Sequence, residues 1–284
     1  MKELILLALQ LSIMCTVFGF GLAATAADLL YLARRPGLLV RSLVSVFVIM
    51  PLFTLGLVHV MNFPLTTAVV LLALSMSAVP PLLPMKHDKA GGHASYGLGL
   101  MVVLSFAAIA AVPAVIAVME HFFERPIVVA PGAIALVVMK STLAPLAAGL
   151  GVRAIGPALA ARLEKPVGVI SNVLLPVAVI ALVAGAFSAI WAAVGNGTVL
   201  AIVVFTVAGL AIGHVLGGPD PDHSVALALS TACRHPAMAL AIATTAVPDQ
   251  RFGATILLYL LVNIVAGLPY IVWQRRRARV PSGA

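Results

Sequence analysis

Apolar residues run through this chain in nine blocks, separated by short polar or Gly/Pro-rich links. The blocks fall at about 4–24, 38–60, 65–83, 97–119, 128–150, 167–190, 198–216, 223–246 and 253–273, each near the ~20 residues a helix needs to cross the hydrocarbon. The pattern predicts nine membrane-spanning helices in a single transmembrane domain over 1–284. Links such as Arg34-Arg35-Pro36-Gly37 and Gly217-Gly218-Pro219-Asp220-Pro221-Asp222 leave no room for an inserted soluble domain. Met1-Lys2-Glu3 precedes a long apolar run without a clear small-residue cleavage site, so the first block reads as a span and not as a removed signal.

Two blocks carry breaks. In Ser230-Thr231-Ala232-Cys233-Arg234-His235-Pro236 a charge and a proline coincide near the middle of a span. Proline removes a ladder hydrogen bond, and broken backbone at membrane depth is tolerated only inside protein or beside water. A mid-bilayer arginine costs a further ~2.5–3.5 kcal/mol on insertion scales. The second break is Val79-Pro80-Pro81-Leu82-Leu83-Pro84, which runs into Met85-Lys86-His87-Asp88-Lys89. That polar run reads either as a cytoplasmic loop or as a half-helix returning Lys86 and His87 toward a cavity.

An internal echo favours the half-helix. Leu72-Ala73-Leu74-Ser75 recurs as Leu227-Ala228-Leu229-Ser230, and Pro81 and Pro236 share the same offset of 155. Paired breaks at corresponding places in two halves point to a transporter binding site. An odd number of helices separates the copies, so they face opposite ways. The expected architecture is an all-α polytopic membrane protein built from inverted repeats (about 1–122 and 123–284), with two broken crossover helices and one helix missing from the first half.

Composition supports the membrane assignment. The chain is 62% hydrophobic and 9% charged with mean hydropathy +1.16, against about 25% charged in soluble domains. The net charge of +8 therefore says nothing of nucleic acid; its location matters instead. With nine crossings, Arg34, Arg35, Arg41, Lys86, Lys89, Arg153, Arg162, Lys165, Arg275, Arg276, Arg277 and Arg279 share one side, and Lys2, Arg125 and Arg251 the other. The positive-inside rule then puts the C-terminus in the cytoplasm and the N-terminus outside, in a bacterial inner (plasma) membrane. Lys140 lies midway along its span and is expected to be buried. Eight of nine carboxylates lie in links or at span ends, Asp88 being the exception. Cys15 and Cys233 both fall in spans, which argues against a disulfide framework or zinc site. No cofactor is implied.

The order of motifs resembles the bile acid:sodium symporter family. Phe18-Gly19-Phe20-Gly21-Leu22 with Asp28 and Arg34-Arg35-Pro36, then Phe47-Val48-Ile49-Met50-Pro51, Val138-Met139-Lys140 with Pro145, Lys165-Pro166 through Pro176, Asp222 to Ala241, and Val262-Asn263 carry the likeness. It implies the family's fold without its first helix, and transport across the membrane. The resemblance also implies sodium ligands that this chain lacks. The family has Gln at the position of Val46, Glu at that of Ser230, and a Gln-Asn pair at Arg234 and His235. Where the family reads Pro-Gly-Gly in its first broken helix, Leu82-Leu83 replace the glycines. A valine offers no oxygen, and a fixed guanidinium repels a cation.

These readings predict a secondary carrier of a small or amphipathic organic anion, working by alternating access and not coupled to sodium. Pro80, Pro81, Pro84, Lys86, His87, Ser230, Arg234, His235, Pro236 and Asn263 form its candidate substrate and crossover site, with no metal site. Arg234 reads equally as a substrate contact or as a structural charge satisfied by carbonyls freed at Pro236 and by Ser75 or Ser230. His235 reads as a proton switch or as a neutral imidazole bonded to broken backbone. Proton coupling through His87, Asp88 or His235 and simple facilitated transport both stay open. The alternative function is a non-transporting sensor or channel-like relative. No HExxH, Gly-x-Ser-x-Gly or intramembrane aspartate pair supports an enzyme. The expected partners are the bilayer and the solute, with no nucleic acid.

Overall fold

The computed structural model describes residues 2–84, 94–123, 131–247 and 251–278, and its regular elements are all helical. Among these residues, eight helical segments are long and apolar enough to span: Glu3–Ala23, Pro36–Met61, Ala94–Ala117, Gly132–Ile155, Pro157–Gly185, Thr198–Leu216, Pro221–Ala246 and Gly253–Arg277. They overlap eight of the nine expected blocks. The other block, expected over 65–83, is helical only over Leu65–Met76. Ser77 turns to an extended backbone at ψ 155°, because Pro80 and Pro81 supply no amides to continue the ladder.

The helices form two groups. Lys2–Ala23, the 132–155 span and Pro157–Gly185 pack on one another, and the remaining spans surround the two breaks. The groups meet where Ala94–Phe123 and Pro236–Ala246 lie against Pro131–Val138, and where Phe187–Ala193 touches the last helix. Lipid tails are as apolar as leucine, so close packing drives helix association in a bilayer. Small residues allow it here. A Cβ on Gly213 would collide with Leu227 O and the Ala228 backbone, and one on Gly209 or Gly217 would strike Ala232 or Ser224. The 198–216 span therefore rests backbone to backbone on Pro221–Ala232, and this contact sets the depth of the second break. Gly21 and Gly149 make the equivalent contact in the three-helix group.

Two spans contain π-helical turns, over Ser45–Ile49 and Met139–Leu143. In each, a proline follows two residues after the turn, at Pro51 and Pro145. The π pattern bonds Met50 N to Ser45 O and Ala144 N to Met139 O. By the same i→i−5 spacing, Pro51 and Pro145 would serve Val46 O and Lys140 O, and neither has an N–H to give. The turns thus leave carbonyls without a helical donor at mid-span.

Candidate functional site

The second break is a three-residue extended stretch. Pro221–Ala232 ends at Cys233 (φ −93°, ψ 123°) and Pro236–Ala246 begins after His235 (φ −76°, ψ 106°). It crosses the first break directly: His235 N donates to Ala78 O at 2.9 Å and to Ser77 Oγ at 3.1 Å. Ala78 N in turn points at Met238 Sδ, 3.3 Å away. Each broken segment so supplies partners the other lacks, the condition for interrupted backbone inside a membrane.

Arg234 is 1% exposed and lies at this crossing. Its Nη1 donates to Ser77 O at 3.0 Å and its Nη2 to Val46 O at 2.7 Å. Val46 O is the carbonyl that Pro51 cannot serve. Ser77 O lies at the end of the first half-helix. Of the expected structural partners, Ser75 and the carbonyl freed at Pro236 are engaged elsewhere. Ser75 Oγ bonds its own helix at Leu72 O. Ala232 O, the carbonyl Pro236 cannot serve, accepts from Tyr259 OH at 3.1 Å and Asn263 Nδ2 at 3.1 Å. Tyr259 OH also accepts from Arg234 N at 2.8 Å. Arg234 Nε has no hydrogen-bond partner among the described residues.

His235 is 4% exposed. Its Nδ1 accepts from Met238 N at 3.4 Å and caps the second half-helix. That assigns the ring proton to Nε2, which lies 3.1 Å from Ser141 Oγ in the second π turn. The Ser141 hydroxyl donates to Val137 O, so its oxygen is free to accept from the imidazole. This network makes His235 the pin between the crossing and the three-helix group.

Asn263 is buried and ties three elements together, through Thr206 Oγ1 at 3.1 Å, Ala232 O and Cys233 Sγ at 3.2 Å. Beside it lies a cleft of about 200 Å³ lined by Leu229, Cys233, Asn263, Leu268, Val272 and Arg275, among others. Ser230 is buried one turn before Arg234. Pro80, Pro81 and Pro84 sit in the first break, Pro81 and Pro84 buried and Pro80 half-buried. Lys86 and His87 lie outside the described residues. Lys140, expected in the interior, is exposed. The turn bends the span so that Thr142 and Leu143 face the protein while Met139 and Lys140 face away.

Tyr259, Ser77, Ser141 and Met238 join the site without any break or charge in the sequence to mark them. Tyr259 is four residues before Asn263 on the same face of the last helix, a spacing that could have identified it.

A family model described as the sodium bile acid symporter family matches residues 8–193. The match takes in the first break and both π turns, and ends before the second break. No curated protein matches the chain.

Proposed function

The chain belongs to the sodium bile acid symporter family and at that level is a membrane transporter; we propose that it carries a small or amphipathic organic anion by alternating access, without sodium coupling. The observation behind this is the Arg234 guanidinium fixed between Val46 O and Ser77 O. A tethered cation on two backbone carbonyls leaves nothing there for a mobile one. A sodium ion about 4 Å away would be disfavoured by about 4 kcal/mol at an effective dielectric of about 20. Val46 and Ser230 add no carboxylate to offset this.

The crossing couples the two half-helices into one body, and the three-helix group is the surface it would rock against. In this reading the two halves, about 1–122 and 123–284, are inverted repeats that share the crossing. The arginine-rich C-terminus lies in the cytoplasm of a bacterial cell and the N-terminus outside.

Uptake and counterflow in proteoliposomes, with a panel of organic acids and with or without sodium and proton gradients, test this. Saturable exchange without either gradient is the expected result. Uptake that scales with sodium would refute the lost coupling. Absence of flux for every acid would favour a sensor over a carrier.

A further inference from the structure

Among the described residues, Lys140 and Arg234 are the two basic residues nearest the midpoints of their spans, and Arg234 is committed to backbone carbonyls. Lys140 is exposed, and among the described residues it has no ion-pair partner. In the 132–155 span it sits about 5 Å from the midpoint, at ~1.5 Å per residue. That leaves its Cα about 10 Å beneath the edge of a ~30 Å hydrocarbon layer. A lysine stem covers only part of this distance by snorkelling. Charged residues at such depth face a bundle interior or a water-filled cavity. The outward stripe of this span, Ala133, Leu136, Lys140, Ala144 and Ala147, is exposed, whereas Ile134, Val138, Thr142, Pro145 and Gly149 are buried. Water on that stripe is the arrangement that accommodates the ammonium.

Two further observations tie the position to the crossing. Lys140 lies in the π turn Met139–Leu143, an irregularity that often marks functional sites. The next residue, Ser141, is the one bonded to His235 at the break. Any shift of the crossing against the three-helix group therefore acts on the turn that carries Lys140.

Building on the carrier reading, we propose that Lys140 binds the charged group of the transported anion in a water-filled cleft, a role the sequence also suggests for Arg234. One compact ammonium with three donors suits a singly charged organic anion such as a carboxylate or sulfonate. It lacks the planar fork that would favour a bidentate fit.

The test reads charge at the site without needing a transported solute. With Cys15 replaced by alanine, Leu136→Cys places a thiol one turn away on the same stripe, at a position 54% exposed. The probes are two water-soluble methanethiosulfonates of similar size, one carrying an ethylsulfonate and one an ethyltrimethylammonium. The single variant is expected to react with both and to prefer the anion. Adding Lys140→Gln should lower the anion-to-cation rate ratio by about tenfold, from a unit charge about 6 Å away in wet surroundings. Lys140→Arg should keep the preference. A thiol inert to both aqueous reagents, or a ratio unchanged by Lys140→Gln, would overturn the proposal. Because the readout is chemical, failure here leaves the carrier reading standing, and absence of flux in the unmodified protein leaves this site testable.

Discussion

Replacing Arg234 by glutamine separates a structural guanidinium from one that holds solute. The side chain makes two hydrogen bonds to carbonyls, at 2.7 and 3.0 Å. Bonds from a charged donor contribute about 1.5–3 kcal/mol each. Glutamine is shorter and can satisfy at most one of the two carbonyls. In a soluble protein, relief from burying an unpaired charge could cancel the loss. Here the unfolded reference also keeps residue 234 within the bilayer, where arginine already costs ~2.5–3.5 kcal/mol, so much of the charge penalty is common to both states. The net expectation for Arg234→Gln is a loss of about 2–4 kcal/mol. At ~2–4 °C per kcal/mol for a chain of this size, that is a fall of about 4–16 °C in Tm. Thermal unfolding in detergent at one fixed scan rate measures it, with Arg234→Lys expected to fall between the two. A Tm within about 2 °C of the parent, together with a raised KM for anion uptake, would refute the structural assignment.

Three further outcomes follow from the same geometry. Tyr259→Phe removes the hydroxyl shared by Arg234 N and Ala232 O and should cost about 1–3 kcal/mol, read as a lower Tm with the helical circular dichroism unchanged. Gly213→Ala inserts a Cβ into the Leu227–Ala228 backbone and should destabilise by about 1–3 kcal/mol, whereas Gly151→Ala, inside a helix where a Cβ meets open space, should hold or slightly raise Tm. Asp28 lies between spans, and hydrogen bonds from Ser95 Oγ and then Thr25 hold its carboxyl below the usual 3.8. A depressed carboxyl adds stability that is present above the unfolded value and is lost as pH falls through the folded one. Ser95→Ala should therefore lower Tm at neutral pH, with the difference from the parent shrinking as pH drops below about 4.

The places of eight of the nine expected spans, the two breaks and the transporter class were legible in the chain. Each span satisfies its own backbone bonds and carries its own hydropathy, so its existence is local information. Pro81 and Pro236 announce the breaks for the same reason, since a missing N–H is a property of one residue. The family likeness was legible too. Its reach across the second break was an expectation that the match to residues 8–193 leaves as a proposal.

Only the tertiary structure decided which partners the break residues take. Val46 O and Ser77 O are 188 and 157 residues from Arg234, and no periodicity encodes such pairs. Nor could the sequence tell that Lys140 looks outward. In water an apolar stripe marks the buried face of a helix, but in a bilayer both faces are apolar and the pattern loses its direction. The π turn that orients Lys140 depends on packing around Pro145 as well as on the proline itself. Sequence alone therefore determined where the apolar segments lie and where the chain breaks. Folding in three dimensions determined which mid-span charge is spent on the scaffold and which is left facing out of it.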